Sequence, residues 1–273
     1  MPINSNKYII QNIERITAFD LTTGVCDFIV DDLQEAQLSV SSEIVYAEGK
    51  NGVKIGSADR NKESSFTATN GAIVDGVLAA QLGTDVEIGT FTVPNYMDIL
   101  ETSNGTTATT TYVAQGATGA EIKFIYKRNT DGTLGQKYEI AAEASATKFA
   151  YNPETKVITL PTSQFSAGDE LVTFYDIRVA NAKRIANEED KFSKTDKVIF
   201  DVFAKDICTE KSYYATIIFY KGKISGTFDL SFGNDPSTQN LEITALSGGC
   251  NKGASKLLWD MIIWDDEDVT ETP

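Results

Sequence analysis

Three groups of neighbouring carboxylates are the residues of this chain whose types come closest to supporting acid–base chemistry. They are Asp31-Asp32, Glu188-Glu189-Asp190 and Asp265-Asp266-Glu267-Asp268. Glycoside hydrolysis needs two carboxyl groups that face each other across a cleft, roughly 5 to 9 Å apart. Carboxylates that are adjacent on a loop do not supply that arrangement, and the last group lacks the alternating oxygen ligands and the glycine of an EF-hand loop. We interpret all three groups as solvated charge runs.

Other chemistry-bearing residues are equally sparse. The chain of 273 residues contains no histidine, which argues against Ser-His-Asp or Cys-His catalysis and against an imidazole metal site. Its three cysteines, Cys26, Cys208 and Cys250, lack the paired spacing of a zinc site, so we expect buried, reduced thiols. The glycine-rich segment 248–253 precedes a strand and not a helix, unlike a phosphate-binding loop. We therefore expect no enzyme activity, no metal and no cofactor.

Aromatic residues offer one binding alternative. Tyr213, Tyr214 and Trp264 have side chains that stack on sugars in carbohydrate-binding proteins. In a β-rich chain such residues more often fill the sheet interior or form cross-strand pairs. A carbohydrate-binding β-sandwich therefore remains an alternative to a purely structural role.

The distribution of charge along the chain is the most informative feature that is not catalytic. The chain has 24 Lys+Arg and 39 Asp+Glu, a formal net charge of −15, whereas nucleic-acid-binding proteins neutralise phosphates with cations. The segment 47–62 is nevertheless locally basic, and no basic residue follows Lys256. The basic side chains are Lys50, Lys54, Arg60 and Lys62, and the late acidic ones include Asp265, Asp266, Glu267 and Asp268. We predict that a basic arm of one copy meets an acidic edge of the next copy.

The elements that must position these residues are strands. Apolar and polar residues alternate with a period of two, most clearly at Val198, Phe200, Val202 and Ala204, which predicts an all-β fold. Segment 213–220 is apolar on both faces, which is typical of a central strand or of a strand whose outward face is covered by another element. We expect about five strands between residues 195 and 264, one of them at 227–232.

A single short helix and one long loop interrupt the strands. Helical spacing of apolar residues over 73–82 predicts the helix, with Asn70 as its N-cap and Gly83 as its C-cap. The segment 47–62 holds three glycines and few apolar residues, which predicts a long loop. We expect one domain over 1–273, with its core from 1–102 and 195–273 and a β-rich insertion or small exterior subdomain at 103–194.

Three C-terminal runs carry a resemblance to a known family. Residues 223–233 (KISGTFDLSFG), 241–246 (LEITAL) and 258–263 (LWDMII) resemble the major tail, or tail tube, proteins of long-tailed bacteriophages. The upstream order of a strand, an arm-like loop, a returning strand and a single helix is also similar. The resemblance covers 1–102 and 195–273, and the insertion departs from it.

The resemblance implies a β-sandwich or barrel with a flanking helix that assembles with itself. Such proteins form hexameric rings that stack into a hollow tube, and viral DNA passes through the lumen without specific binding. The implied partners are further copies of the chain and the tail terminator, baseplate and tape-measure proteins. The implied location is the virion tail, after synthesis and assembly in the cytoplasm of the host bacterium. Another virion component, such as a capsid decoration or baseplate protein, is the nearest alternative.

No segment of the sequence approaches the ~20 apolar residues of a membrane helix. The N-terminal residues also lack the basic and apolar regions of a secretory signal. We therefore expect no membrane segment and no export by the general route.

Overall fold

The computed structural model describes residues 7–230, 233–234, 236–247 and 256–265, which form two β-sheets and one α-helix. The first sheet contains β1 (Tyr8–Asp20), β2 (Cys26–Val30), β3 (Leu33–Glu48), β4 (Lys54–Asn70), β12 (Thr195–Asp206), β13 (Ser212–Ile224), β14 (Gln239–Ala245) and β15 (Asp260–Trp264). The second contains β5 (Glu87–Glu101), β6 (Thr107–Thr109), β7 (Ile122–Arg128), β8 (Leu134–Ile140), β9 (Lys148–Asn152), β10 (Val157–Thr159) and β11 (Glu170–Arg184). The helix is α1 (Asp75–Leu82). The expectation of an all-β protein with one short helix is confirmed.

The first sheet belongs to a compact unit made of residues 1–86 and 185–273. Its strands lie in the order β2-β1-β12-β13-β14-β4-β3, and β15 also pairs with β13. Strand β12 alternates strictly between half-buried and buried residues, as its sequence predicts. Its buried face packs in one core with β4, where the rings of Phe66 and Phe200 lie 4.3 Å apart. Strand β13 is paired along both edges and is therefore central, as predicted.

The predicted strand at 227–232 is not formed in its described part, because residues 227–230 have no regular secondary structure. Residues 231 and 232 lie outside the described residues. The next segment with the same alternation, at 241–245, forms β14 instead and pairs with β4 and β13. A short alternating run is thus not sufficient for a strand when no neighbouring strand offers it a ladder.

The two caps of the helix α1 can be compared with their predictions. Gly83 is its C-cap, with φ of 72°, and this part of the prediction is confirmed. A Cβ at this glycine would lie 2.0 Å from the carbonyl oxygen of Phe192, so the site requires glycine for space as well as for conformation. The predicted N-cap is wrong: Asn70 ends β4 and its amide donates to the carbonyl of Ala72, while Val74 is the N-cap.

The second sheet belongs to a unit of its own, residues 87–184. The boundaries therefore lie at 86/87 and 184/185, and not at 102/103 and 194/195 as expected from the sequence. The reason is the pairing of β5 with β11, which runs from Glu87 opposite Arg184 to Glu101 opposite Glu170. Because the two strands share one long ladder of hydrogen bonds, both flanks of the expected insertion belong to the same sheet.

The second unit has its own apolar core and a buried polar network. Its strand order is β5-β11-β7-β8-β9-β10-β6, with β8 and β9 parallel and the other pairs antiparallel. Asp98 on β5 is buried and accepts hydrogen bonds from Tyr175 Oη at 2.5 Å, Thr111 N at 2.8 Å and Thr111 Oγ1 at 2.9 Å. A buried carboxylate with three donors is satisfied without a counter-ion.

Two further expectations can be compared with the structure. Cys26 and Cys208 are free thiols but are exposed, so the expectation of buried cysteines is wrong for both; Cys250 lies outside the described residues. Within the described part of the chain, no helix has the length and apolar character needed to cross a membrane.

Candidate functional site

The segment expected to be a loop, 47–62, forms the outer end of a long β-hairpin. Strands β3 and β4 pair from Leu33 opposite Asn70 to Glu48 opposite Lys54, with three register shifts along the ladder. A 3-10 turn over Lys50–Gly52 connects them, and Asn51 and Gly52 have φ of 66° and 72°. Asparagine and glycine are the residue types that tolerate this left-handed conformation. The loop prediction for 47–62 is therefore wrong, because the glycines that suggested a loop lie at the turn and within paired strands.

The outer part of this hairpin projects from the core. From Ser39 to Glu63 every residue is exposed except Gly49, which is half-buried, so neither face of the ribbon is covered. We call residues 39–63 the arm. The arm contains ten residues of each strand, 39–48 and 54–63, which extend about 33 Å at the usual rise of a β-strand. Below the arm, Ser64, Phe66 and Ala68 are buried and fix the base of the hairpin in the first core.

The arm exposes apolar side chains that a free ribbon would not be expected to display. Their exposed fractions range from 37 % to 71 %, and the residues are Val40, Ile44, Val45, Tyr46, Val53 and Ile55. An isolated two-stranded ribbon is only marginally stable in water, and exposed strands with apolar residues invite pairing or docking. Several exposed apolar side chains grouped on one element favour a site of protein–protein contact.

The four predicted cations all lie on the arm but differ in their surroundings. Arg60 Nη2 donates to Glu43 Oε1 over 2.6 Å, and Lys54 Nζ lies 3.7 Å from the centroid of the Tyr46 ring. The Arg60 guanidinium is the main cause that holds the pKa of the Glu43 carboxyl below its usual value. Lys50 and Lys62 have no carboxylate partner among the described residues. These two lysines are therefore the arm cations most open to an external partner.

Of the predicted acidic edge, the structure describes only Asp265. Asp265 is buried, with 6 % of its surface exposed, and pairs with Lys211. Asp266, Glu267 and Asp268 lie outside the described residues. The carboxylate of Asp265 is thus engaged within the chain.

An acidic groove that the sequence analysis did not identify lies on the first sheet. It encloses about 750 Å³, and its carboxylates are Glu35 on β3, Glu242 on β14 and Asp229 after β13. Threonines, Asn240 and Leu241 contribute to its walls, and none of the described residues that line it is basic. Glu35 and Glu242 come together only because β3 and β14 both pair with β4. Neither strand alone indicates this pairing.

The aromatic residues of the carbohydrate alternative interact with other aromatic residues. The rings of Tyr214 and Trp264 are stacked, with centroids 4.8 Å apart, whereas Tyr213 packs edge-on against Tyr8. Tyr214 and Trp264 are also 40 % and 36 % exposed and border a cavity of about 400 Å³. The pair forms a cross-strand contact between β13 and β15, and sugar binding there stays a prediction.

One group of side chains has the composition of a cation site. Carboxylate oxygens of Asp20, Asp27 and Asp196 all lie within 4.8 Å of one another in the first unit. The sequence analysis did not identify this group, because Asp196 is far along the chain from Asp20 and Asp27.

Comparison with known proteins places these features in a family. The model of the YomU/Tube protein family matches residues 8–258, which include the arm, α1 and both sheets up to the beginning of β15. No curated protein matches the chain. Because the family match extends over most of the sequence, the chain belongs to the YomU/Tube protein family, and it is a phage tube-like structural protein.

Proposed function

We propose that this chain is a tail tube protein, which assembles with itself into hexameric rings that stack to form the conduit for viral DNA. The observation that carries the proposal is the arm, a ribbon of 25 residues exposed on both faces in a chain that matches a tube family. The role is structural and not catalytic. The protein works in the virion tail, after assembly in the cytoplasm of the host bacterium.

The arm fits a second copy of the chain better than it fits solvent. Burying an exposed valine or isoleucine stabilises a complex by about 1.5 to 3 kcal/mol per fully covered side chain. Val53 and Ile55 near the tip are 60 % and 71 % exposed, so most of this free energy is available on association. In a stack of rings, each copy contributes one arm, and the contact repeats without closing on itself.

The acidic groove is the proposed receptor for the arm of the next copy. Glu35, Asp229 and Glu242 lie along it, and Lys50 and Lys54 lie at the arm tip. Opposite charges on the two surfaces fix the register of docking and disfavour other partners. In this proposal the groove takes the place of the acidic edge at Asp265 to Asp268, because Asp265 is already paired.

Ring closure requires a different surface. In the described part of the chain, β2 and β3 end the order of the first sheet, so their outer edges present unpaired backbone groups. Such edges add strands from a neighbouring copy by main-chain hydrogen bonding. A head-to-tail contact of this type closes into a ring when its rotation divides a full turn, which for this family of assemblies we propose to be sixfold.

The charge of the chain suits a conduit for a polyanion. A net charge of −15 per copy makes tight binding of the DNA backbone unfavourable, so DNA slides through the lumen. The tail terminator, baseplate and tape-measure proteins are the proposed partners at the ends and inside the tube. Each of them would contact surfaces that repeat around the ring.

A shortened arm tests this function directly. Ser41 and Glu63 face each other across the hairpin, so Asn-Gly in place of residues 42–62 closes the ribbon without changing its register. Purified full-length protein is expected to form tubes in negative-stain electron microscopy at high concentration. The shortened variant is expected to keep the cooperative thermal unfolding of the full-length chain but to give no tubes. A full-length chain that stays monomeric at every concentration and salt tested would overturn the proposal.

A further inference from the structure

Asp196 is a buried carboxylate whose two oxygens lack hydrogen-bond donors. It has 1 % of its surface exposed, and among the described residues neither Oδ1 nor Oδ2 has a hydrogen-bond partner. Moving a charged group from water into the protein interior without a partner is strongly unfavourable in free energy. Buried charges in native proteins are therefore paired or bound to metal ions. This side chain is therefore an exception that needs a physical explanation.

Asp206 shows how the same strand satisfies a buried carboxylate at its other end. It is 2 % exposed, and its Oδ1 accepts the backbone N–H groups of Cys208 at 2.7 Å and Thr209 at 3.2 Å. Asp196 and Asp206 both lie on β12 and are buried to a similar degree. The carboxylate of Asp206 accepts hydrogen bonds, whereas that of Asp196 accepts none. The contrast leaves two ways to satisfy Asp196: a cation bound from solution, or a proton shared with the carboxylate of Asp27.

Two further carboxylates converge on Asp196. Asp20 lies directly opposite it in the pairing of β1 with β12, an arrangement of like charges that destabilises a sheet. Asp27 on the neighbouring strand β2 completes the group, and the carboxylate oxygens of the three residues lie within 4.8 Å of one another. We call Asp20, Asp27 and Asp196 the carboxylate triad.

Hydrogen bonds within the chain leave coordinating oxygens available. Asp20 uses Oδ1 to accept from Thr22 N, Thr23 N and Thr23 Oγ1, and Asp27 uses Oδ2 to accept from Lys194 Nζ at 3.2 Å. Lys194 also donates to Asp85 at 2.7 Å, so its charge is shared with a carboxylate outside the triad. Burial, reinforced by the negative charge of Asp27, raises the pKa of Asp196 to about 6.

We propose that the carboxylate triad binds a divalent cation of the calcium type, which supplies the missing partner of Asp196. Calcium takes carboxylate oxygens at 2.3 to 2.6 Å, so two ligands on opposite sides of the ion are about 4.8 Å apart. The observed spread of the triad oxygens fits within that distance. The ion joins β1, β2 and β12 at one end of the first sheet and removes the repulsion between Asp20 and Asp196.

Calorimetric titration with CaCl2 of the unassembled chain, stripped with EDTA, tests the proposal. One ion per chain is expected to bind, with a dissociation constant of about 10⁻⁴ to 10⁻³ M, the weak end of the range for calcium sites in proteins. The thermal midpoint is expected to rise with calcium and to fall back with EDTA. No binding at millimolar calcium, together with an unchanged midpoint, would overturn the proposal and leave a shared proton between Asp196 and Asp27 as the explanation.

Substitutions separate the triad from the general acidity of the chain. D196N and D20N are each expected to abolish the bound calcium, while D206N, a buried aspartate of the same strand, is expected to lower stability and retain it. The variant D266N/E267Q/D268N is expected to bind calcium like the unmodified chain. Loss of calcium in this last variant, with retention in D196N, would assign the ion to the acidic run and contradict the proposal. Because the titration uses unassembled protein, its outcome is independent of tube formation.

Discussion

Arg60 Nη2 donates a hydrogen bond to Glu43 Oε1 over 2.6 Å, which joins the two strands of the arm by an ion pair. The two residues are cross-strand partners, and Asn61 Nδ2 donates to the second oxygen of the same carboxylate at 2.8 Å. Cross-strand pairs of this kind are the unit that holds a ribbon together. Arg60 is thus engaged within its own arm, whereas Lys50 and Lys62 have no carboxylate partner among the described residues.

Charge reversal is therefore expected to separate the arm cations into two classes. K50E/K62E should slow tube growth at least tenfold and raise the protein concentration needed for assembly, because in the proposed stack both side chains contact the neighbouring copy. R60E should also impair assembly, but R60E/E43R should restore it, since the exchange rebuilds the pair within the arm. Light scattering against protein concentration measures these effects.

The control for K50E/K62E is K123E/K148E, which changes the formal charge equally on exposed lysines of the second unit. That control is expected to assemble like the unmodified chain. Equal inhibition by both double variants would show that net charge, and not the arm, governs assembly. Failure of E43R to rescue R60E would show that Arg60 has an external partner.

The apolar tip of the arm yields a second prediction. I55S removes a side chain that is 71 % exposed, so it should leave the free energy of unfolding nearly unchanged while weakening assembly. I88S, which removes an isoleucine of equal exposure from β5 of the second unit, is the matched control and should assemble normally. Urea unfolding and sedimentation velocity give the two readouts. Similar assembly of I55S and the unmodified chain would contradict docking through the arm tip.

Charge reversal in the acidic groove gives a third prediction. E35K/D229K/E242K should block assembly, and combining it with K50E/K54E/K62E in one chain should restore assembly, because both surfaces then have reversed signs. Each triple variant alone should remain unassembled, and electron microscopy of all three proteins measures the outcome. A combined variant that stays unassembled while retaining its circular dichroism spectrum would place the receptor of the arm elsewhere.

The buried pair of Tyr175 and Asp98 gives a prediction about stability. Y175F removes the donor to Asp98 Oδ2 and should lower the free energy of unfolding by about 1 to 3 kcal/mol. Burial, together with the hydrogen bond to Asp98, raises the pKa of Tyr175 well above its usual value. Its stabilising contribution is therefore complete below the ordinary tyrosine pKa of about 10 and declines as pH rises above it.

The stability difference between the unmodified chain and Y175F should accordingly shrink in alkaline solution. Urea unfolding at a series of pH values from neutral to above 10 measures it, with Y46F as a control for the loss of an exposed tyrosine. A difference that stays constant or grows with pH would contradict the assigned environment of Tyr175.

Local patterns in the sequence predicted those parts of the fold that depend on local physics. The alternation at Val198, Phe200, Val202 and Ala204 predicted which face of β12 is buried. Gly83 predicted the end of α1, because it adopts a left-handed conformation that other residues adopt with strain. Residues 47–62 of the arm were predicted as a loop because neither face of the ribbon is buried there. Without a covered face, that segment lacks the alternation that identifies a strand.

Pairing between strands that are distant in the sequence accounts for most of the remaining differences between the sequence-based expectations and the structure. The division between the two units depends on β5 meeting β11, whose first residues Glu87 and Glu170 lie far apart in the sequence. The carboxylate triad likewise depends on β1 meeting β12. Register between distant strands is set by the packing of the whole sheet, so composition and spacing within one segment do not contain it.

Cryo-electron microscopy of the assembled protein, with its symmetry determined from the images, tests the central claim most directly. The account predicts stacked sixfold rings in which residues 39–63 of each copy leave their own ring and contact the acidic groove of a copy in the next. Assemblies in which the arm remains in solvent, or particles that contain a single copy of the chain under all conditions, would contradict it.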